Sequence, residues 1–313
     1  MESRKVIGRS LAWGVVTILC AFGVAFGLKL LERRVLKSKT QTGPRVAVKF
    51  SAHPGWMPEA LAREIADALA PRGMPLGDPA VTQEVFRLAE ANPWVRQVHY
   101  VSRHRFSGGP DGCIEVAAEF RRPIARVLAK DGSFCYVDAE GCVLPELQVP
   151  RWVVIVPAHD GRPASQTCYL SSSEIPRDQG LAEIHYVTIR GVETDPPRVG
   201  RLWKGDDLAE GLRLVELINT RDYANQITTV DVRNHRGRIS RNEPFLRMYA
   251  QITRGRRTDI RFGRFPALGG DYVISPERKL LYLDDYVAAN GGRLAGVNEY
   301  LDLRYDQLHV SIN

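Results

Sequence analysis

"NEYLDLRYDQLHVSIN", Asn298–Asn313, closes this chain. Leu301, Leu303 and Tyr305 alternate with Tyr300, Asp302 and Arg304, the period of two of a half-buried strand. A strand placed this late is expected at the edge of a sheet, with a row of unpaired N–H and C=O groups. Such an edge is either guarded or used, and the rest of the chain has to say which.

With 44% hydrophobic and 25% charged residues, the 313-residue chain has the composition of folded protein and the length of two modest domains. Its net charge of +7 is unevenly placed. Residues 1–50 hold ten Lys or Arg against Glu2 and Glu32, whereas the remainder holds 33 basic and 34 acidic residues. A nucleic-acid-binding protein carries its basic surface on the folded domain, so this distribution argues against one.

The excess flanks "SLAWGVVTILCAFGVAFGL", Ser10–Leu28, which contains no charge. As a helix rising ~1.5 Å per residue it would span ~27–28 Å, close to the hydrocarbon thickness of a bilayer. The small residues Ala21, Gly23, Ala25 and Gly27 permit a cleaved signal peptide instead, but the run exceeds the usual apolar length and Leu28, Leu30 and Leu31 follow. A retained anchor over residues 10–31 is the expectation. Arg4, Lys5 and Arg9 precede it and five basic residues between Lys29 and Lys39 follow, so the charge count points to a cytoplasmic C-terminus. That count is weak for long translocated domains, and composition leaves orientation open.

Of five cysteines, Cys20 lies in the apolar run and Cys113, Cys135, Cys142 and Cys168 lie beyond it, with no CxxC pair. Cys135 and Cys142 flank the turn "VDAEG", where buried thiols are the leading reading and a disulfide the alternative.

Residues 32–44 read as a polar stalk. "RVAVKF" (Arg45–Phe50) reads as a strand, followed by a helix with Leu61, Ile65 and Leu69 on one face and Pro58 at its start. A second helix opens at Asp78–Pro79, buries Val81, Val85, Leu88 and Ala89, and stops at Asn92–Pro93. Two strands, Trp94–Arg103 and Cys113–Phe120, complete a β-α-α-β-β order over residues 45–122. From residue 123 onward the pattern is mainly strand, in runs such as "RWVVIVP", "EIHYVTIRG", "QITTVDVRN", "PFLRMYAQI" and "TDIRFG". Two helices interrupt it, one carrying Leu208, Leu212, Val215 and Ile218, the other opened by Ser275–Pro276 and closed by Asn290–Gly291. Residues 145–180 are the least patterned and read as long loops. The fold class expected is α+β: an N-terminal transmembrane helix, the small β-α-α-β-β domain, then a mainly antiparallel β-domain over 123–313.

No G-x-S-x-G, H-E-x-x-H, Walker or G-x-G-x-x-G motif is present. "GGRLAG" (Gly291–Gly296) follows a helix and is better explained as its cap and turn. His99 and His104 fall on opposite faces of a strand, and the pairs Asp206–Asp207 and Asp284–Asp285 read as solvated charge. No catalytic residue, cofactor or metal ligand is expected.

Three stretches keep company in one order. "NPWVRQVHYVSRHR" (Asn92–Arg105) with "IEVAAEFRRPIARV" (Ile114–Val127) starts a strand at Pro-Trp-Val and leaves the next through an acidic-basic-Pro-aliphatic-Ala passage. "GSFCYVDAEGCVLP" (Gly132–Pro145) contains a Val-Asp-x-x-Gly-x-Val hairpin. "FGRFPALGGDYVISPERKLLYLDDYV" (Phe262–Val287) and "EYLDLRYD" (Glu299–Asp306) supply a Phe-Gly strand, a Lys-Leu-x-x-Leu helix and an Asp-Leu-Arg-Tyr strand. Together they resemble the FtsQ/DivIB family of bacterial cell-division proteins over most of residues 7–310.

The resemblance implies a bitopic, non-catalytic scaffold of the divisome. It would have a cytoplasmic tail (1–9), a single inner-membrane helix (10–31), and extracytoplasmic, periplasmic POTRA (45–122) and β (123–313) domains, sited where the cell divides. Its partners would be small bitopic proteins of the FtsB and FtsL kind, bound by strand addition to the C-terminal edge, so helping to control septal peptidoglycan synthesis. The positions it implies for partner binding are Tyr300, Leu301, Arg304, Tyr305 and Asp306. The plainer alternative keeps Tyr305 in the core beside Leu301 and Leu303, with Tyr300 and Arg304 covering the outer face. Five ladder hydrogen bonds at ~1 kcal/mol each fall short of the ~8 kcal/mol of micromolar binding, so side chains must supply the rest. Where the family turns through a glycine after this motif into an apolar strand, "QLHVSIN" has none. A POTRA-bearing component of an envelope secretion or outer-membrane assembly system is the alternative, and an envelope enzyme with a dispersed site a remoter one.

Overall fold

A computed structural model describes residues 46–105, 112–156, 166–171, 182–251, 255–266 and 273–311. These fold as an α+β protein with four α-helices and mixed sheets. The chain divides into two compact units, one from the described part of Met1–Lys49 with Ala66–Leu88 and Tyr100–Val116, the other from Phe50–Ile65, Ala89–His99 and the described residues of Ala117–Asn313.

The N-terminal elements are β1 (Ala47–Phe50), α1 (Glu59–Leu69), α2 (Val81–Glu90), β2 (Val95–Arg105) and β3 (Gly112–Phe120), with a three-stranded sheet in the order β1-β3-β2. Leu61, Ile65 and Leu69 of α1 and Val81, Val85 and Ala89 of α2 are buried, as their spacing predicts, while Leu88 is half-buried. The Asp78 carboxylate accepts from Ala80 N at 2.8 Å just ahead of α2.

The C-terminal part begins with β4 (Ala125–Leu128), β5 (Phe134–Val137), β6 (Val143–Leu144), β7 (Pro150–Val156), β8 (Gln166–Ser171), β9 (Ala182–Glu183) and β10 (Val187–Arg190). It continues with α3 (Asp206–Asn219), β11 (Ile227–Asp231), β12 (Leu246–Gln251), β13 (Arg257–Gly263), α4 (Pro276–Ala289), β14 (Tyr300–Asp302) and β15 (His309–Val310). A nine-stranded sheet runs β15-β14-β13-β12-β11-β10-β4-β5-β6, and β8-β7-β9 forms a separate antiparallel sheet. Within residues 145–180, β7 falls where the run "RWVVIVP" predicts a strand, and β8 where loops are expected.

The large sheet is mainly antiparallel, as expected, with five antiparallel pairings, but three parallel ones make it mixed. β10 pairs in parallel with β4 and β11, and β13 with β14. The helices account for two of these three pairs, β10–β11 and β13–β14, since each lies between two parallel neighbours and serves as their crossover, whereas β4 and β10 are joined through β5 to β9. Both crossovers step the same way along the sheet from strands of the same direction. A common right-handed sense therefore puts both helices on one face. Leu208, Leu212, Val215 and Ile218 of α3 and Leu280 and Leu283 of α4 accordingly share one buried cluster with Ile189, Val230, Met248, Ile260 and Leu301.

Local signals hold these elements in place. Ser275 caps α4 by accepting from Arg278 N, with Pro276 in the first turn. Asp138 closes the β5–β6 turn by accepting from Glu140 N and Cys142 N at 3.0 and 2.7 Å. Gly141 completes that turn at φ +84°, a backbone conformation that side chains disfavour. Cys135 and Cys142 are free thiols, so no disulfide crosses the turn. Asp207, read as solvated, is buried and accepts from Glu193 N at 2.9 Å and Arg238 Nη1 at 3.0 Å.

The transmembrane and inner-membrane expectation finds no support among the described residues. Among the described residues no helix is long and apolar enough to cross a membrane. The longest, α3 and α4, have 14 residues each, or about 21 Å, against the roughly 30 Å of a bilayer core. The tail (1–9), the helix expected over 10–31 and the stalk (32–44) lie outside the described residues.

Candidate functional site: the two edges of the large sheet

Leu301 and Leu303 are fully buried, as the alternation of the terminal segment predicts. The alternation then stops. Residues 303–308 turn back, and His309–Val310 returns as β15, antiparallel to β14, in the register Leu301↔Val310 and Asp302↔His309. β14 is therefore paired on both sides, and the true edge is the two-residue β15. Tyr305 leaves the core altogether; the residue is 48% exposed and its ring lies against His309, centroids 4.6 Å apart.

Ser311 fastens this edge. Its N–H donates to Tyr300 O at 3.2 Å, its hydroxyl accepts from Glu299 N and Tyr300 N, and its carbonyl accepts from Asn298 Nδ2 at 2.8 Å. Because Tyr300–Ser311 is a hydrogen-bonded pair, Leu301–Val310 is the non-bonded one. The N–H and C=O of Val310 therefore point to the open side. Val310 and His309 are both exposed.

The five residues implied for partner binding do not form one surface. Leu301 is core. Tyr300 is half-buried under the Arg261 guanidinium, 4.2 Å from its ring centroid. Asp306 is exposed and its carbonyl accepts from the Tyr282 hydroxyl. Arg304 turns inward, gripping Asp302 with Nε and Nη2 at 2.9 and 2.8 Å and donating from Nη1 to Asn242 O at 3.0 Å. Burial opposes the charge on Asp302, but the Arg304 hydrogen bonds, aided by Arg261, outweigh it and hold the carboxyl below its usual range. Gly263, at φ +86°, makes room for this grip: a Cβ there would meet Arg304 Cγ at 2.9 Å. Arg304 is thus a structural clamp, and Tyr305 and Asp306 are the exposed members of the set.

Behind the clamp, Lys279 of the Lys-Leu-x-x-Leu motif is 1% exposed. Its ammonium donates to Phe262 O and Arg264 O at 2.8 and 2.9 Å, tying α4 to the end of β13. Burial, then the nearby Arg264 charge, lowers its pKa to about 8 against the opposing pull of Asp302.

The opposite edge is closed. Val143 of β6 donates to Arg201 O at 3.1 Å and accepts from Gly200 N at 2.7 Å, and Cys142 bridges Leu202. Val143 and Leu144 are both buried.

His99 and His104 pair with different acids, Glu119 and Glu115. Among the described residues no group of three or more His, Cys, Asp or Glu is placed to hold a metal ion. Sequence reasoning missed His309, Val310 and Ser311. The only signal for them was the short polar–apolar alternation of "LHVSI", too brief to distinguish a strand from a tail. Compared with family models and with curated proteins, the chain matches none.

Proposed function

We propose that the chain is a non-catalytic scaffold of the bacterial division machinery. It docks a partner of the FtsB/FtsL kind by strand addition at β15, so helping to control septal peptidoglycan synthesis. The observation that carries this is the asymmetry of the nine-stranded sheet among the described residues: β6 is sealed by residues 200–202, whereas β15 leaves the backbone of Val310 open beside an exposed Tyr305. Two backbone groups contribute only about 2 kcal/mol, so the exposed side chains of Tyr305, His309 and Val310 must supply most of any affinity.

Val310→Pro tests this directly. It removes an N–H that donates to nothing in the sheet and leaves the Ser311 bonds in place, so folding should survive. In crosslinking and pull-down from host cells, wild type should capture a short coiled-coil division protein, and Val310→Pro should lose it. Undiminished capture by the variant would remove the edge from the interface.

A further inference from the structure

The face of the large sheet opposite the helices has its own composition. Strand alternation places Arg126, Arg190, Arg247, Arg257 and Arg261 on it, against three acids, Asp231, Asp259 and Asp302. The two signs occupy different depths. The carboxylates of Asp231 and Asp302 are 4% exposed, beneath guanidiniums that reach solvent; Asp231, for example, is held by Arg190 at 2.7 Å and Arg233 at 2.8 Å. Asp259 is likewise held by Arg247 at 2.8 Å. The outermost atoms are therefore cationic, and the arginines of the face also outnumber its acids, five to three. The compensating acids stand on the other side, four on α3 and three on α4.

Two of these arginines are uncommitted to any acid among the described residues. Arg257 lies over the Tyr249 ring, 3.9 Å from its centroid, and Arg190 lies over the same ring at 4.8 Å. Arg126 lies over Phe134 at 4.9 Å and spends one donor, Nε, on Thr188 Oγ1. A guanidinium has five donors in a planar fork that matches a carboxylate, and stacking on a ring fixes its direction. Single-stranded nucleic acid needs bare aromatic faces for its bases, and here guanidiniums already cover Tyr249 and Phe134. We infer that the helix-free face of the large sheet is a second docking surface, and that its occupant is an extended acidic segment of a partner protein. Arg126 stands six strands from β15, so this surface is separate from the sheet edge.

The test uses the full-length chain and a labelled, glutamate-rich 12-residue peptide, followed by fluorescence anisotropy. Binding should weaken severalfold between low and physiological salt. The double variant Arg126→Gln/Arg257→Gln should lower affinity about tenfold while leaving the circular dichroism unchanged, since neither residue pairs with an acid. Val310→Pro should bind the peptide as wild type does, separating this surface from the edge. Absence of binding, binding indifferent to the double variant, or tighter binding of oligothymidine would overturn the inference. So would self-association of the chain that the double variant abolishes while the peptide fails to bind.

Discussion

The two ends of the nine-stranded sheet meet the same physical problem in opposite ways. β6 hands its backbone to the segment 200–202 and buries both of its side chains; β15 is pinned from within by Ser311 and, among the described residues, left bare outside. Unpaired edges invite pairing with other chains, and a short strand limits that hazard. At two residues, β15 is too short to aggregate readily and long enough to align one partner residue. What differs is where the support comes from: loop backbone at β6, buried charge at β15.

The largest expected effect comes from breaking that charge. Arg304→Glu would leave Asp302 buried beside a second carboxylate, and loss of a buried pair costs about 3–5 kcal/mol. Urea unfolding should show that loss; a stability change below about 1 kcal/mol would mean that Arg304 is a surface residue after all. Next comes Lys279. Its folded pKa lies below its ordinary 10.5, so below pH 8 both folded and unfolded states hold the proton and the cost of burying the ammonium is complete. Between pH 8 and 10.5 the folded state releases its proton first. Stability should therefore rise with pH by up to about 3 kcal/mol across that window, and Lys279→Met should abolish the rise. A slope unchanged in the variant would place its origin elsewhere.

At the closed edge, Gly200 sits at φ +80° while sealing β6. Gly200→Val should cost about 1–2 kcal/mol through backbone strain and speed amide exchange at Val143. If exchange at Val143 is untouched, the seal does not depend on that conformation. The smallest stability change, within about 0.5 kcal/mol, is expected for Val310→Pro, whose effect should fall on partner capture alone.

Much of this was legible locally. The stripes of α1 and α3, the Ser275–Pro276 start of α4 and the burial of Leu301 and Leu303 all follow from spacing and capping over a few residues. Tyr305 was harder: the period-two pattern continues into it, but the backbone turns one residue after Asp302, and only the return of His309 shows why its ring is outside. Arg304 misled for a related reason. An exposed arginine and one clamped on an aspartate two residues away look alike in a sequence, and the space for the clamp is made by Gly263, some forty positions earlier. The parallel pairings were hidden because a polar turn and a helical crossover both separate strands; only the return of each helix across the sheet distinguishes them.

By itself the sequence determined the helices, the strand runs and which leucines enter the core, since periodicity and capping are properties of neighbouring residues. The tertiary structure alone decided which strand is the edge, which arginines are clamps and which face carries outward cations. Those depend on pairing between residues far apart in the chain, where burial and charge are set by what arrives from elsewhere.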